Sequence, residues 1–145
     1  MHFVTGGAFN GKRKWVSKTY GETKWISAFQ GEVLIEHLSP LNASCVVLEG
    51  VEEWLRKLSL EMDINEARNY WKSIVLKWLD WESSAEGRRL VIIGTDLTKG
   101  IVPIEKENRN WRDLTGWAYQ DLAAHCNKVD IIWYGINQTI KGEKG

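Results

Sequence analysis

Two cysteines, three histidines and a formal charge that cancels leave little of the material from which several protein classes are built. Cys45 and Cys126 lack metal-ligand spacing and sit among apolar neighbours, so the chain offers neither a disulfide framework nor a zinc site, and both read as buried thiols. No stretch of about 18 apolar residues occurs and no secretory pattern opens the chain, which predicts no membrane span and a cytoplasmic location. No internal repeat, low-complexity tract or long linker interrupts the 145 residues, so one domain over 1–145 with a single core is expected. Lys141-Gly142-Glu143-Lys144-Gly145 reads as a frayed tail. Nineteen basic side chains balance nineteen acidic ones, which argues against nucleic acid as a partner, because domains that bind it are generally basic.

What is present is unevenly placed. Residues 1–31 carry five basic side chains against one acidic, a local +4, whereas residues 32–86 carry five against eleven, a local −6. The basic end holds Phe3-Val4-Thr5-Gly6-Gly7-Ala8-Phe9-Asn10-Gly11-Lys12, an apolar run opening into Gly-x-x-x-x-Gly-Lys, the pattern of a loop that cradles phosphates. Gly6 and Gly11 allow the backbone to turn its N–H groups inward, Lys12 supplies a point charge for the outer phosphates, and a following helix adds its positive dipole end. Gly6, Gly7, Ala8, Phe9, Asn10, Gly11, Lys12 and Arg13 are therefore the candidate nucleotide-binding residues, with GTP or ATP as the ligand. The position after the lysine is normally Ser or Thr, whose hydroxyl ligates Mg²⁺; here it is Arg13.

Four apolar runs read as buried strands: His2–Thr5, Cys45–Leu48, Leu90–Ile93 and Asp130–Tyr134. A helix starts at Asp63 with Glu66 three residues on, carries Ile64, Ala67, Tyr70, Trp71, Ile74, Val75, Trp78 and Leu79 on one stripe, and yields to a strand after Gly87. A second spans about Asn110 to Cys126 and a third follows the glycine loop. Thr23–Phe29 fits a strand or a helical end. Alternating strands and amphipathic helices predict an α/β fold, P-loop NTPase-like, with a mainly parallel sheet covered by helices on both faces. Ligands of such sheets sit beyond the carboxyl ends of the strands.

Two more strand ends bring carboxylates to that edge. Val46-Val47-Leu48-Glu49 finishes in an acid where a nucleotide enzyme holds Mg²⁺ or its water, although an acidic residue where strand meets loop is equally ordinary. Thr95-Asp96 ends the next strand, with a turn or cap role as its alternative. Lys12, Glu49 and Asp96 are the candidate catalytic residues, and Glu49 the candidate metal ligand. The nine tryptophans read as core and interface packing rather than as a base-stacking platform.

The block Thr95-Asp96-Leu97-Thr98-Lys99-Gly100-Ile101-Val102-Pro103, then Arg109-Asn110-Trp111-Arg112-Asp113-Leu114-Thr115-Gly116 and Gln120-Asp121-Leu122-Ala123-Ala124, resembles the bifunctional adenosylcobinamide kinase/adenosylcobinamide-phosphate guanylyltransferase family. That family has Asn-Glu-Val-Gly-x-Gly-Ile-Val-Pro, Phe-Arg-Asp-Leu-x-Gly and Asn-Gln-x-Leu-Ala at the same spacing. Val47 to Leu55 is similar to its Val-Asp-Cys-Leu-Thr-Leu-Trp-Leu, and Tyr134-Gly135-Ile136 to its Ser-Gly-Ile-Pro. The resemblance implies a kinase that moves a terminal phosphate onto the hydroxyl of adenosylcobinamide, and a homo-oligomer, a trimer by that likeness.

Departures accompany it. The family's post-lysine Ser is Arg13, its Asp is Glu49, and its Asn-Glu is Thr95-Asp96. An arginine can hold phosphate oxygens in a metal's place. The family also carries a basic helix whose histidine takes GMP covalently; here 36 residues separate Lys12 from Glu49 and none is a histidine in a basic run. His37 reads as surface or packing, and His2 and His125 start a strand and end a helix. Arg109 and Arg112 suit phosphate contact, intersubunit pairing or a solvated helix face equally, and Lys99 is a loop charge. The resemblance thus implies a nucleotide kinase without guanylyl transfer. Its rival is a non-catalytic nucleotide-binding or assembly protein, and a third reading makes the glycine loop a turn for some other anion.

Overall fold

A computed structural model describes residues 1–97 and 106–142, with only the backbone of 106 and 107. The elements are β1 (His2–Gly6), α1 (Lys12–Tyr20), β2 (Lys24–Ser27), β3 (Cys45–Glu49), α2 (Val51–Glu61), α3 (Ile64–Ser83), β4 (Arg89–Thr95), α4 (Lys106–His125), β5 (Lys128–Trp133) and β6 (Ile136–Lys141). They build one six-stranded sheet in the order β2-β3-β4-β1-β5-β6, parallel except for β6, which runs antiparallel to β5. The α/β fold with a mainly parallel sheet is as expected from the alternation of elements.

The two faces differ in cover. One packs Phe3, Val46, Leu48, Leu90 and Ile92 against α2, α3 and α4, through Leu55, Trp71, Ile74, Trp78, Leu114 and Leu122. The other packs Val4, Val47, Val91, Ile93 and Ile132 against Val16, with Trp15, Tyr20 and Trp25 beside them. Helices therefore lie on both faces, but the second face rests on the nine residues of α1. Trp71 and Trp78 meet edge to face at 5.5 Å in the larger core, an arrangement worth about 0.5–1.5 kcal/mol beyond the area buried.

Asp63 caps α3 as its pattern predicts, its Oδ1 accepting from the Glu66 N–H at 3.0 Å. Thr23–Phe29, which fitted two readings, divides between them: β2 ends at Ser27, and Ala28–Gln30 make a single 3₁₀ turn. Two elements go beyond the expected set. α2 has its own stripe of Val51, Trp54, Leu55 and Leu58. The second is β6, reached through a tight turn at Tyr134 (φ 50) and Gly135 (φ 76). Tyr134 accordingly lies outside the strand that Asp130–Tyr134 was expected to form. Lys141 is no frayed tail, since it closes β6 and its Nζ donates to the Ala123 carbonyl at 2.8 Å; residues 143–145 lie outside the described residues.

The irregular stretch between β2 and β3 is held by aromatic side chains from the helices. Trp54 Nε1 donates to the Glu32 carbonyl at 2.8 Å and Trp78 Nε1 to the Ile35 carbonyl at 2.9 Å. Tyr70 donates to Glu36, which also pairs with Lys77. Leu38 is fully buried beneath this stretch. Indoles are well suited to such work, because each buries a large apolar body and satisfies one backbone carbonyl. Four tryptophans are buried, whereas Trp117 and Trp133 remain exposed. Cys126 is buried and Cys45 only half-buried, a correction to the pair of buried thiols; burial pushes the Cys126 thiol up to about 11.

Candidate functional site

Four neighbouring strands end along one edge, bringing Ser27, Glu49, Thr95 and Gly6 side by side: Ser27 is in register with Glu49, and Gly6 with Thr95. Above them lies a cleft of about 870 Å³. Its lining includes Ala8, Phe9, Gly11, Lys12 and Arg13 from the loop, together with Glu49, Glu52 and Glu53.

The loop requires its glycines. Gly6 has φ 146, and a Cβ there would stand 2.5 Å from the Ile132 carbonyl oxygen of β5. Gly11 has φ 87 at the start of α1, with Gly135 of the β5–β6 turn behind it. The Gly135 N–H donates to the Asn10 carbonyl at 2.8 Å, so the hairpin turn backs the loop. Phe9 also has positive φ, at 62°, and its ring stands fully in solvent. Such a conformation is unusual for an aromatic residue and marks a tightly specified loop.

Lys12 is buried at the base of this loop, its Nζ donating to the carbonyls of Gly7 at 2.8 Å and Gly6 at 3.3 Å. Burial lowers its pKa, opposed by the charges of Glu52 and Glu49. The neighbouring Arg13 reaches the opposite wall. Its Nε is 3.5 Å from Glu49 Oε2 and its guanidinium lies over the Trp25 ring at 5.3 Å. Glu49 Oε1 accepts from Ser27 Oγ at 2.7 Å, so both oxygens of this buried acid are engaged.

Glu52 completes the wall and has no counterpart among the residues expected from sequence. It is buried, its Oε1 accepts from the Thr95 N–H at 3.1 Å, and its carbonyl accepts from Trp111 Nε1 at 2.8 Å. Tyr119 donates to the Thr95 carbonyl at 2.8 Å. Desolvation of the hydroxyl, with Glu52 and Asp96 near, raises its pKa well above that of an ordinary tyrosine. The signal that finds Glu52 is its position in the first turn of α2, three residues beyond Glu49. Phe29 lies over Gly50, where a Cβ would come within 3.1 Å of its ring, and so forms a rim of the cleft.

Of the expected site residues, the structure brings Lys12, Arg13 and Glu49 together. Asp96 stands at the same edge, its N–H donating to the Gly6 carbonyl at 2.9 Å, but it is not among the described residues lining the cleft. Arg109 is exposed, and Arg112 pairs with Asp113 at 3.2 Å. Lys99 and the Gly100-Ile101-Val102-Pro103 block lie outside the described residues. His37 and His125 are exposed. His2 is instead buried in a polar network against α1, at the opposite end of β1 from the glycine loop, its Nδ1 2.5 Å from the Tyr20 hydroxyl and its Nε2 2.5 Å from Asp130 Oδ2.

The donors around Glu49 are poorly matched to Mg²⁺. That ion keeps near-octahedral oxygen ligands and binds through one or two carboxylates plus substrate phosphates. No group of three His, Cys, Asp or Glu side chains among the described residues could hold a metal. At Glu49 a guanidinium already faces one oxygen and a hydroxyl the other. A resident Mg²⁺ does not fit this arrangement.

A glycine loop between the first strand and first helix of a mainly parallel sheet, with a buried lysine opening that helix, defines a P-loop-NTPase-like α/β class. Within it, a family model described as cobinamide kinase / cobinamide phosphate guanyltransferase matches residues 18–140, and the chain belongs to that family. The match begins beyond the glycine loop, whose reading therefore stands on its own pattern and geometry. Among curated relatives, the bifunctional adenosylcobalamin biosynthesis protein CobP of Pseudomonas aeruginosa is 29% identical over 55 residues, 38% of this chain and 32% of that protein. The match thus spans about a third of that relative's length. No helix among the described residues is long and apolar enough to cross a membrane.

Proposed function

We propose that this chain binds a purine nucleotide, GTP or ATP, in the cleft between the Gly6–Arg13 loop and the Glu49–Glu52 wall, as a kinase-type member of its family in cobalamin biosynthesis. The observation that carries the reading is the buried Lys12 amine at the base of a glycine loop that opens α1. An arriving polyphosphate draws Lys12 from the loop carbonyls, takes N–H groups from the loop and meets the positive end of α1. The acceptor is the hydroxyl of adenosylcobinamide, and positioning with fixed electrostatics supplies most of the rate. Glu49 and Asp96 are the groups proposed to orient that hydroxyl, and the reaction takes place in the cytoplasm. Residues 1–145 act as one nucleotide-binding domain.

Guanylyl transfer is absent from this proposal, because the connection between β2 and β3 bears no histidine at the cleft. With GTP labelled at either the α or the γ phosphate, label should reach adenosylcobinamide from the γ position alone, and the protein should keep no acid-labile α label. Protein-bound α label lost in His37→Ala would overturn the reading of that segment, and no transfer from either position would remove the kinase.

A second reading, a nucleotide-binding or assembly protein without phosphoryl transfer, is favoured by the Arg13–Glu49 pair, which ties up the acid the reaction would use. The same labelling distinguishes the two readings, since nucleotide binding with no labelled product selects the second.

Self-association belongs to either reading. Strand β6, at the edge of the sheet among the described residues, exposes Ile136 and Ile140, with Tyr134 and Trp133 at the adjoining turn, a row of apolar side chains. Light scattering should give a multiple of 16.7 kDa, three by the family likeness. A particle of that single mass at every concentration would remove the oligomer.

A further inference from the structure

The two cations after the glycines are both engaged within the chain, and their partners differ in kind. Lys12 rests on neutral carbonyls of the loop, from which a phosphate can recruit it with little loss. Arg13 is the counter-ion of a buried carboxylate. Removing it would leave the Glu49 charge with the Ser27 hydroxyl as its direct contact and Lys12 as the remaining nearby cation, and buried charges persist where they are paired. Trp25 fixes the guanidinium plane from the far side. A guanidinium offers five N–H donors in a rigid fork, so Arg13 can keep Nε toward Glu49 while its two terminal nitrogens remain for phosphate oxygens. Its side chain is 58% exposed and lines the cleft beside Lys12 and Lys14. No acidic residue lies in the first turn of α1 to offset these charges.

We propose that this chain takes its nucleotide as the metal-free polyphosphate anion, with Arg13 supplying the charge that a divalent ion supplies in other P-loop proteins. The inference rests on the nucleotide reading above and extends it to the chemical form of the ligand. Glu49 is then a holder of Arg13 and not a metal ligand, and Ser27 a holder of Glu49. The reason is local: a divalent ion arriving at Glu49 meets a cation already in place and no hydroxyl at the position after Lys12.

Calorimetric titration of GTP, ATP and inorganic triphosphate in Mg²⁺ and in EDTA tests this, with the unmodified protein, Arg13→Ser and Arg13→Lys. The unmodified protein should bind both nucleotides within about twofold in the two buffers, and triphosphate should compete in EDTA. Arg13→Ser should lose about one to two decades of affinity in EDTA, the range for one charge-assisted contact, and recover part of it in Mg²⁺, where its hydroxyl meets the ion. Arg13→Lys keeps the charge without the fork and should fall between them. Electron paramagnetic resonance should find no Mn²⁺ held by the unmodified protein beyond what the nucleotide itself binds. Binding by the unmodified protein that weakens tenfold or more in EDTA overturns the inference and leaves the nucleotide reading intact. Triphosphate that does not compete overturns it as well, since the phosphates would not be what is held. Absence of GTP and ATP binding in both buffers overturns inference and reading together.

Discussion

Gly6→Ala should remove nucleotide binding and destabilise the fold together. The substitution places a methyl group 2.5 Å from the Ile132 carbonyl oxygen, a backbone atom of the neighbouring strand, at a residue with φ 146. Strain of that conformation costs about 1–3 kcal/mol and overpacking about as much again, so a loss of about 2–6 kcal/mol is expected out of the ~5–15 kcal/mol that holds a typical domain. Relief comes only if β1 and β5 part or the loop re-routes, and either moves the N–H groups around the phosphate site. Gly31→Ala is the control: φ 80 and ψ 8 place it in the left-handed helical region and nothing stands within 4 Å of a Cβ, so it should cost only about 1–2 kcal/mol and leave binding unchanged. Urea unfolding midpoints and nucleotide titration separate the cases. Lys12→Ala should keep the fold and lose about one to two decades of affinity, the range for a charge-assisted contact. A Gly6→Ala protein that is as stable as the parent and binds nucleotide would refute the loop as described.

Elements with strong local pattern are legible in the sequence. The strands of Val46–Leu48 and Leu90–Ile93 are apolar throughout because both of their faces are covered, and α3 announces itself through its Asp63 cap and a stripe ending in buried Trp78. β6 was not legible. Ile136-Asn137-Gln138-Thr139-Ile140-Lys141 has one partner strand and a largely exposed surface, so neither burial nor apolar run marks it. Its existence is decided by the tight turn at Tyr134-Gly135 and by pairing with β5, a tertiary effect. Residues 13–43 are hard to assign partly for the same reason: the order of the stretch after β2 comes from Trp54, Tyr70 and Trp78 on distant helices.

The candidate site divides likewise. Glycine spacing and a lysine are local, so the loop could be read directly, and strand ends located Glu49 and Asp96. Pairing could not be read. That Arg13 turns across the cleft to Glu49, rather than toward solvent, depends on β2 placing Trp25 and Ser27 next to β3. Glu52 escaped notice because its helix did, and its part in holding Thr95 is a contact between residues 43 positions apart. His2 shows the opposite error: a lone histidine opening a strand carries no signal, yet it sits at the centre of a buried network.

Asp130→Ala should be among the most destabilising single substitutions in this chain. Asp130 is fully buried, its Oδ1 accepts from Thr139 Oγ1 at 2.6 Å and Asn137 Nδ2 at 3.1 Å, and its Oδ2 faces His2 Nε2. Neutral His2 satisfies every contact at once, with Nε2–H donating to Asp130 and Nδ1 accepting from the Tyr20 hydroxyl. Removing the carboxylate strands one buried donor, on His2, and two half-buried ones, on Asn137 and Thr139, at up to about 1–3 kcal/mol each; solvent at the β6 edge partly relieves the latter two, so about 3–5 kcal/mol is expected. The network also sets a pH dependence. Burial, reinforced by Lys128 and the Met1 ammonium, depresses the His2 pKa against the opposing pull of Asp130. The folded state therefore binds the proton less readily than the unfolded chain, whose histidine titrates near ~6.5. The stability this histidine contributes is present above that value and is lost as pH falls from it toward the folded pKa. Asp130 is itself held below the usual carboxylate range by its hydrogen bonds, which overcome its burial, and adds a second loss in the same direction at lower pH. Urea midpoints followed from pH 7.5 down to 4.5 should fall steadily in the unmodified protein, and the upper part of that fall should be missing from His2→Gln. An unmodified protein equally stable across this range, or an Asp130→Ala protein that unfolds with the parent, would show that the network does not hold α1 to the sheet.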